Sequence, residues 1–81
     1  MTNYEKYVEA FKTGLGIDEE KVTKDLTYQS IMEWDSVGHM ELVAELEDVF
    51  DISMETDDII EFNSFEAGIK LLGKYNITIE G

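Results

Sequence analysis

Ser36 is the residue whose type and position are most suggestive of chemistry. It follows Asp35, it precedes an amphipathic run, and the only histidine, His39, stands three residues further on. Residues three apart lie on the same face of a helix, so His39 is within reach as a general base. Nucleophilic catalysis also needs a group that orients the base, and a substrate pocket. Because the sequence has no Gly-x-Ser-x-Gly elbow and little chain to build a pocket, we reject a hydrolase, assign no catalytic residue and interpret His39 as a polar surface residue.

A calcium loop is the second chemistry that the sequence suggests. Oxygen-bearing side chains alternate from Asp51 to Asp57, as the first ligands of an EF-hand do. An EF-hand then requires glycine at its sixth position and glutamate at its twelfth, where this chain has Thr56 and Phe62. An EF-hand is therefore excluded, and no metal ligand is assigned.

The chain is strongly acidic. Nineteen Asp and Glu stand against six Lys and Arg, and the formal net charge is −13. The segment from Glu33 to Glu66 holds 12 acidic residues and no basic one. This charge disfavours nucleic acid and anionic membranes as partners, and its coincidence with amphipathic helices favours a docking surface for a basic protein. A solvated face that only aids solubility is the alternative.

The sequence has no feature of a membrane or secreted protein. No apolar run approaches the roughly 20 residues of a membrane span, and the N-terminus lacks a signal-peptide pattern. We therefore expect a cytoplasmic monomer without membrane insertion, built as one domain over residues 1–81. There is no cysteine, so its core depends on packing alone.

Four helices are expected to position these residues. Apolar residues recur at helical spacing from Tyr4 to Leu15 and predict a first helix that ends near Gly14 and Gly16. A second apolar stripe predicts a helix over about 36–50, with acidic residues on its other face. The segment 57–62 suits only one or two turns.

The last helix is predicted to begin at Asn63, which with Glu66 resembles a capping box. Residues 17–34 form a long connection without periodicity, and we expect its apolar side chains to anchor it against the helices. Three longer helices, one short helix and a long first loop give a small all-α four-helix bundle.

Asp35 is a good N-cap candidate for the second helix. Its carboxylate can accept a hydrogen bond from the free N–H groups of the first turn, at the positive end of the helix dipole. Ser36 is then the first helical residue, flanked by apolar Val37 and Met40 amid carboxylates. With no catalytic partners, Ser36 is better explained as the substrate of another enzyme, modified by a group that these residues alone do not name.

These residues resemble the acyl carrier protein family. Asp35-Ser36-Val37 is similar to the Asp-Ser-Leu signature of that family, which stands at the start of the second of four helices, and the likeness continues through Ile52. The turn around Gly16, the long first loop and the entry to the last helix also fall at the expected places. The resemblance therefore covers nearly the whole chain.

The resemblance implies that Ser36 carries 4′-phosphopantetheine, attached through a phosphodiester by a phosphopantetheinyl transferase that uses coenzyme A and Mg²⁺. The thiol of this arm would hold an acyl group as a thioester and present it to acyl-transferring or synthase enzymes with basic docking patches. Asp35 matches the family position that helps to arrange the metal of the transferase. The family positions that dock to partner enzymes are matched by Val37, Met40, Glu41, Ala44, Glu47 and Asp48.

Four departures from the family pattern narrow the expected role. Val37 replaces the usual leucine, Gly38-His39-Met40 replaces a more common polar segment, Ser53-Met54 lacks the proline often found after the second helix, and Trp34 precedes the Asp-Ser pair. They favour a carrier dedicated to a lipid, polyketide or other biosynthetic pathway. A peptidyl or aminoacyl carrier and an unmodified acidic interaction module stay open as alternatives, and the sequence leaves undecided whether the bundle interior accepts part of an acyl chain.

Self-repulsion should limit the stability of so acidic a chain. Salt screens like charges, and Mg²⁺ associates weakly with dense carboxylates, so the melting temperature should rise with moderate NaCl or MgCl₂. Calorimetry across a salt series measures this. A flat or falling melting temperature would contradict the expectation.

Overall fold

The computed structural model describes residues 1–80 and contains four α-helices within them. Helix α1 spans Asn3–Leu15, α2 spans Ser36–Phe50, α3 spans Thr56–Glu61 and α4 spans Phe65–Gly73. A short 3₁₀ turn, Glu19–Lys21, lies in the first loop. The three longer helices, the short third helix and the long first loop confirm the predicted all-α bundle.

Helix α1 has well-defined signals at both ends. The Thr2 hydroxyl accepts a hydrogen bond from the Glu5 N–H, and the Glu5 carboxylate accepts one from the Thr2 N–H, which is a capping box that our sequence interpretation missed. Gly16 ends the helix with φ of 66°, the left-handed conformation that glycine adopts without a Cβ penalty. The end near Gly16 agrees with the prediction.

Helix α2 begins and ends as the sequence predicts. It packs on α1 so closely that a Cβ on Gly14 would lie 2.7 Å from the Leu42 Cα. Leu42, Val43 and Leu46 form the buried stripe of α2. The acidic residues therefore remain on the face away from α1.

The first loop lies against the helices, as expected, and its apolar side chains anchor it. Ile17, Leu26 and Trp34 are buried. Met32 is the exception, since it is 92% exposed and its predicted anchoring role is wrong. The three residues Ser30 to Met32 stand in a bend that carries Met32 away from the core.

The predicted start of the last helix is one residue early. The N-cap is Ser64, whose hydroxyl accepts a hydrogen bond from the Ala67 N–H at 3.0 Å. Asn63 instead uses its backbone carbonyl to accept from the Tyr28 N–H at 2.9 Å. The first loop thus holds Asn63 in extended chain, and the helix cannot begin there.

Aromatic rings fill the centre of the bundle. Tyr7, Phe11, Trp34, Phe62 and Phe65 are each 0 or 1% exposed. The Tyr7 hydroxyl donates to the Phe65 carbonyl at 2.6 Å, and burial raises the pKa of this phenol. The buried hydroxyl is thus satisfied, as a polar group in a core must be.

The chain after α4 packs without forming a strand in the described residues. Ile77 and Ile79 lie half-buried against the core, and the Asn3 amide donates to the Thr78 carbonyl at 3.1 Å. The predicted tail extended to Gly81, which lies outside the described residues. Within residues 1–80, no helix combines the length and the hydropathy that a membrane crossing requires.

Asp58 ties the short helix α3 to the end of α4. It is only 3% exposed, and its two oxygens accept hydrogen bonds from Lys74 Nζ and from the Tyr75 hydroxyl, each at 2.7 Å. These hydrogen bonds lower the pKa of Asp58 below its ordinary value, while burial opposes the shift. A six-residue helix is marginal alone, so this contact helps to hold α3 in place.

The Asp58 contact should make stability depend on pH in acid. A carboxyl whose pKa is lowered by folding stabilises the fold above its unfolded pKa of about 4, and this contribution disappears as the pH falls through the lowered value. Asp58→Asn should therefore lower the melting temperature by several degrees at pH 7, and the difference from wild type should shrink as the pH approaches 3.

Thermal unfolding between pH 7 and pH 3 measures this effect. Asp57→Asn is the matched control, because it removes the same charge from an exposed neighbour in α3. Equal melting curves for the two variants at pH 7 would show that the Asp58 contact does not stabilise α3.

Candidate functional site

The start of α2 presents Ser36 to solvent beside a capping carboxylate. Asp35 Oδ1 accepts a hydrogen bond from the Gly38 N–H at 2.8 Å, and Asp35 adopts an extended conformation just before the helix. Ser36 is the first helical residue, and both Asp35 and Ser36 are exposed. The predicted geometry of the Asp-Ser pair is confirmed.

Gly38 lets the loop pass close to this helix start. A Cβ on Gly38 would overlap the backbone carbonyl of Glu33, and it would lie 3.3 Å from Asp35 Oδ1. Only a residue without a side chain fits between the loop and the first turn of α2. The backbone that carries Ser36 is therefore held on a packed surface, although Ser36 itself is exposed.

His39 is not the polar surface residue that the sequence suggested. It is half-buried, its ring lies nearly parallel to the Trp34 indole with the centroids 6.1 Å apart, and Nδ1 accepts a hydrogen bond from Trp34 Nε1 at 2.9 Å. Because Nδ1 is an acceptor, the neutral ring carries its proton on Nε2, which donates to the Ile59 carbonyl at 2.9 Å. Both nitrogens are thus engaged, and His39 cannot serve Ser36 as a base in this arrangement.

One sequence signal could have revealed this role of His39. A buried indole usually needs a hydrogen-bond acceptor for its N–H, and Trp34 is fully buried. His39 is the one imidazole in the chain and follows five residues later. The sequence instead suggested His39 as a general base for Ser36, because the two residues fall on one face of the helix.

The outer face of α2 carries the residues expected to dock with partners. Five of the six are exposed, and these are Val37, Met40, Glu41, Ala44 and Asp48. Glu47 is half-buried, and its Oε2 accepts a hydrogen bond from the Met54 N–H at 2.7 Å. Glu47 therefore holds the loop after α2, and a partner would compete with this bond for its carboxylate.

Two further apolar residues are exposed outside α2, and the sequence did not indicate their exposure. Ile60 in α3 is 72% exposed and Met32 in the loop is 92% exposed, compared with 66% for Val37 and 55% for Met40. Their exposure depends on how the loop and α3 pack. No periodic pattern in the sequence indicates it.

The described residues form no metal-binding cluster around Ser36. No three histidine or acidic side chains within residues 1–80 converge as metal ligands would. The start of α2 brings together an exposed primary hydroxyl, a neighbouring carboxylate and an acidic, partly apolar face.

Comparison with known proteins gives this site a class. Residues 8–72 match the family model described as a phosphopantetheine attachment site. The sequence is also 36% identical over 55 residues to an acyl carrier protein of Lactobacillus johnsonii, and this match covers 68% of the chain and 69% of that relative. The fold and the matched site define a phosphopantetheine-dependent carrier. The chain belongs to the acyl carrier protein family.

The residues present fit the cofactor of this family, phosphopantetheine. Attachment through a phosphodiester requires an accessible hydroxyl and no pocket in the carrier, and Ser36 is exposed at a helix start. The cofactor supplies a thiol to a chain that has no cysteine. Acyl carrier proteins hold their cargo and are generally not catalytic, which agrees with the engaged nitrogens of His39.

The stabilising effect of Asp35 as a helix cap should be separable from the effect of its negative charge. Asp35→Ala removes the acceptor for the Gly38 N–H and should destabilise the fold by about 1 kcal/mol, whereas Asp35→Asn keeps a capping oxygen and should change stability little. Urea unfolding of both variants measures the difference. Equal losses for alanine and asparagine would show that the cap contributes nothing.

Proposed function

We propose that Ser36 is the residue that carries 4′-phosphopantetheine. The observation that carries the proposal is the exposed Ser36 hydroxyl at the start of α2, beside the capping carboxylate of Asp35 and within the matched region 8–72. The hydroxyls of the other serines in that region are less suited to this role, for reasons that differ from one to the next.

Two of the other serines use their hydroxyls within the fold. Ser30 Oγ donates to the Thr27 carbonyl at 2.6 Å, and Ser64 caps α4. Ser53 is exposed, but it follows α2 in a loop and has no capping carboxylate before it. Ser36 therefore combines accessibility with a neighbouring acidic group, and Asp35 is the residue that we expect to help arrange the metal of the transferase.

The attached arm would give this protein its function as a shuttle. A phosphopantetheinyl transferase would join the arm from coenzyme A to Ser36 Oγ, and the thiol of the arm would hold an acyl group as a thioester. The residues of the chain then hold the attachment point at the surface and identify the carrier to its partners.

The outer face of α2 is the surface that we expect partner enzymes to contact. Glu41 and Asp48 carry exposed charge, and exposed Val37, Met40 and Ala44 supply a small apolar contact on the same helix. Long-range attraction would raise encounter rates with basic patches, and a small apolar contact permits quick release. Glu47 belongs to the same face, and its carboxylate would contribute charge to partner binding while it accepts the hydrogen bond from the Met54 N–H.

The proposed cargo is an acyl group of a dedicated lipid, polyketide or other biosynthetic pathway. A peptidyl or aminoacyl cargo is the alternative within the same fold. An unmodified acidic module that binds a basic protein is the alternative outside it, and the same acidic face would serve that role.

Modification of Ser36 is directly measurable. Apo protein incubated with a promiscuous phosphopantetheinyl transferase, coenzyme A and Mg²⁺ should gain one phosphopantetheine group by intact mass. Ser36→Ala should abolish the gain, and Ser53→Ala, which changes another exposed serine, should retain it.

Two results would overturn this assignment. Wild-type protein that gains no mass beside an active control carrier is not a substrate of the transferase. A partner from the native host that binds Ser36→Ala as well as wild type, with no modification on the native protein, would favour the interaction module.

Charge reversal on α2 should slow recognition by the transferase. Glu41→Lys should reduce kcat/KM by roughly tenfold at low salt, and the loss should shrink as salt screens the attraction. Glu20→Lys is the matched control, because it makes the same charge change at an exposed residue of the 3₁₀ turn. If kcat/KM falls equally in both variants, the transferase responds to the net charge of the carrier and not to a docking face on α2.

A further inference from the structure

The core beside the first turns of α2 is filled by packed rings, which His39 joins through its hydrogen bond with Trp34. Phe11, Trp34 and Phe62 are each 0 or 1% exposed. The centroid of Trp34 lies 5.4 Å from that of Phe11 and 5.7 Å from that of Phe62, and Phe11 and Phe62 are 6.0 Å apart. These are contact distances for aromatic rings, so the three rings leave no gap between them for a chain.

His39, three residues after Ser36, adds its ring to this cluster. Its ring is 5.4 Å from Phe62 and 5.5 Å from Tyr28, measured between centroids. Its hydrogen bonds to Trp34 and to the Ile59 carbonyl join the loop, α2 and α3. Separating α2 from α3 at this point would break the hydrogen bond between His39 and the Ile59 carbonyl.

The interior is equally tight on the far side of Phe62. A Cβ placed on Gly68 of α4 would overlap both the Tyr7 hydroxyl and the Phe62 ring. The space between α4 and the ring cluster therefore does not accept even a methyl group without displacement, as expected of a close-packed core.

A shallow groove is what remains at the surface beside His39. Tyr28, His39, Ile60, Phe62 and Asn63 line it, and its volume is about 190 Å³. Pockets that enclose small molecules usually measure roughly 300–1,000 Å³. His39 lies one helical turn after Ser36, so the groove opens on the same side of α2 as the attachment point.

We infer that this carrier presents its cargo outside the bundle and that the cargo is a short or polar acyl group. The inference rests on the proposed function, in which Ser36 carries an acylated arm. A long hydrocarbon would find no room among the packed rings beside the first turns of α2, and any part of it left in water is unfavourable in proportion to its apolar area. A short or polar group incurs little of this penalty in the open groove.

A series of acyl groups on the holo protein tests the inference. Holo protein loaded with butyryl, octanoyl or dodecanoyl groups, each verified by intact mass, should show no progressive rise in melting temperature with chain length. A chain that binds inside the native state would stabilise it more as it grows. In the octanoyl form, a ¹³C-labelled terminal methyl should give no nuclear Overhauser contacts to the rings of Phe11 or Phe62.

Phe62→Leu supplies the comparison, because it removes volume from the ring cluster. This variant should gain stability from octanoyl loading, since an apolar void accepts apolar groups. Ile60→Ala is the matched control at the groove rim and should behave as wild type. If Phe62→Leu fails to fold, the wild-type series and the methyl contacts still decide.

The outcomes separate the inference from the proposed function. A wild-type chain that takes no arm overturns the proposed function. A wild-type chain that loads normally, but gains stability with acyl length or shows methyl contacts to Phe11 or Phe62, overturns this inference alone. Flat melting temperatures with no such contacts support it.

Discussion

The burial of the Trp34 indole is the constraint on which the rest of this structure depends. A fully buried indole N–H must find an acceptor, and the imidazole of His39 provides it. That bond fixes the tautomer of His39, so its other nitrogen donates to the Ile59 carbonyl of α3. One side chain in the loop before Ser36 thereby joins the loop, α2 and α3.

The same constraint separates the two surfaces of α2. On the inner surface, Leu42 and Leu46 are buried and His39 is hydrogen-bonded to the Trp34 ring, so these side chains belong to the core. The outer surface keeps Ser36 and the carboxylates in water. Water solvates these charges, and their field can attract a basic partner from a distance. A carrier needs this division, because its cargo is processed by other enzymes and its own residues must only hold and present the attachment point.

Local signals account for most of what the sequence predicted correctly. The bounds of α2, the Gly16 terminus of α1 and the Asp35 cap each depend on residues within a turn or two of one another. Most of the errors arose where distant segments meet, whereas the capping box of Thr2 and Glu5 is a local signal that was missed. Asn63 was predicted to cap the last helix, but its carbonyl accepts a hydrogen bond from the first loop. Met32 was predicted to anchor that loop, but its side chain is exposed.

The sequence by itself determined that this chain is an acidic helical bundle with an exposed serine at the start of its second helix, because spacing, capping and charge are properties of neighbouring residues. Only the tertiary structure decided what His39 does, which acidic residue is buried, and how completely rings fill the space behind Ser36. Those features depend on side chains from the loop, α1, α3 and α4 meeting at one point, as Trp34, Phe11 and Phe62 do. Close packing fixes such contacts, and no pattern along the chain indicates how much free volume the bundle interior retains.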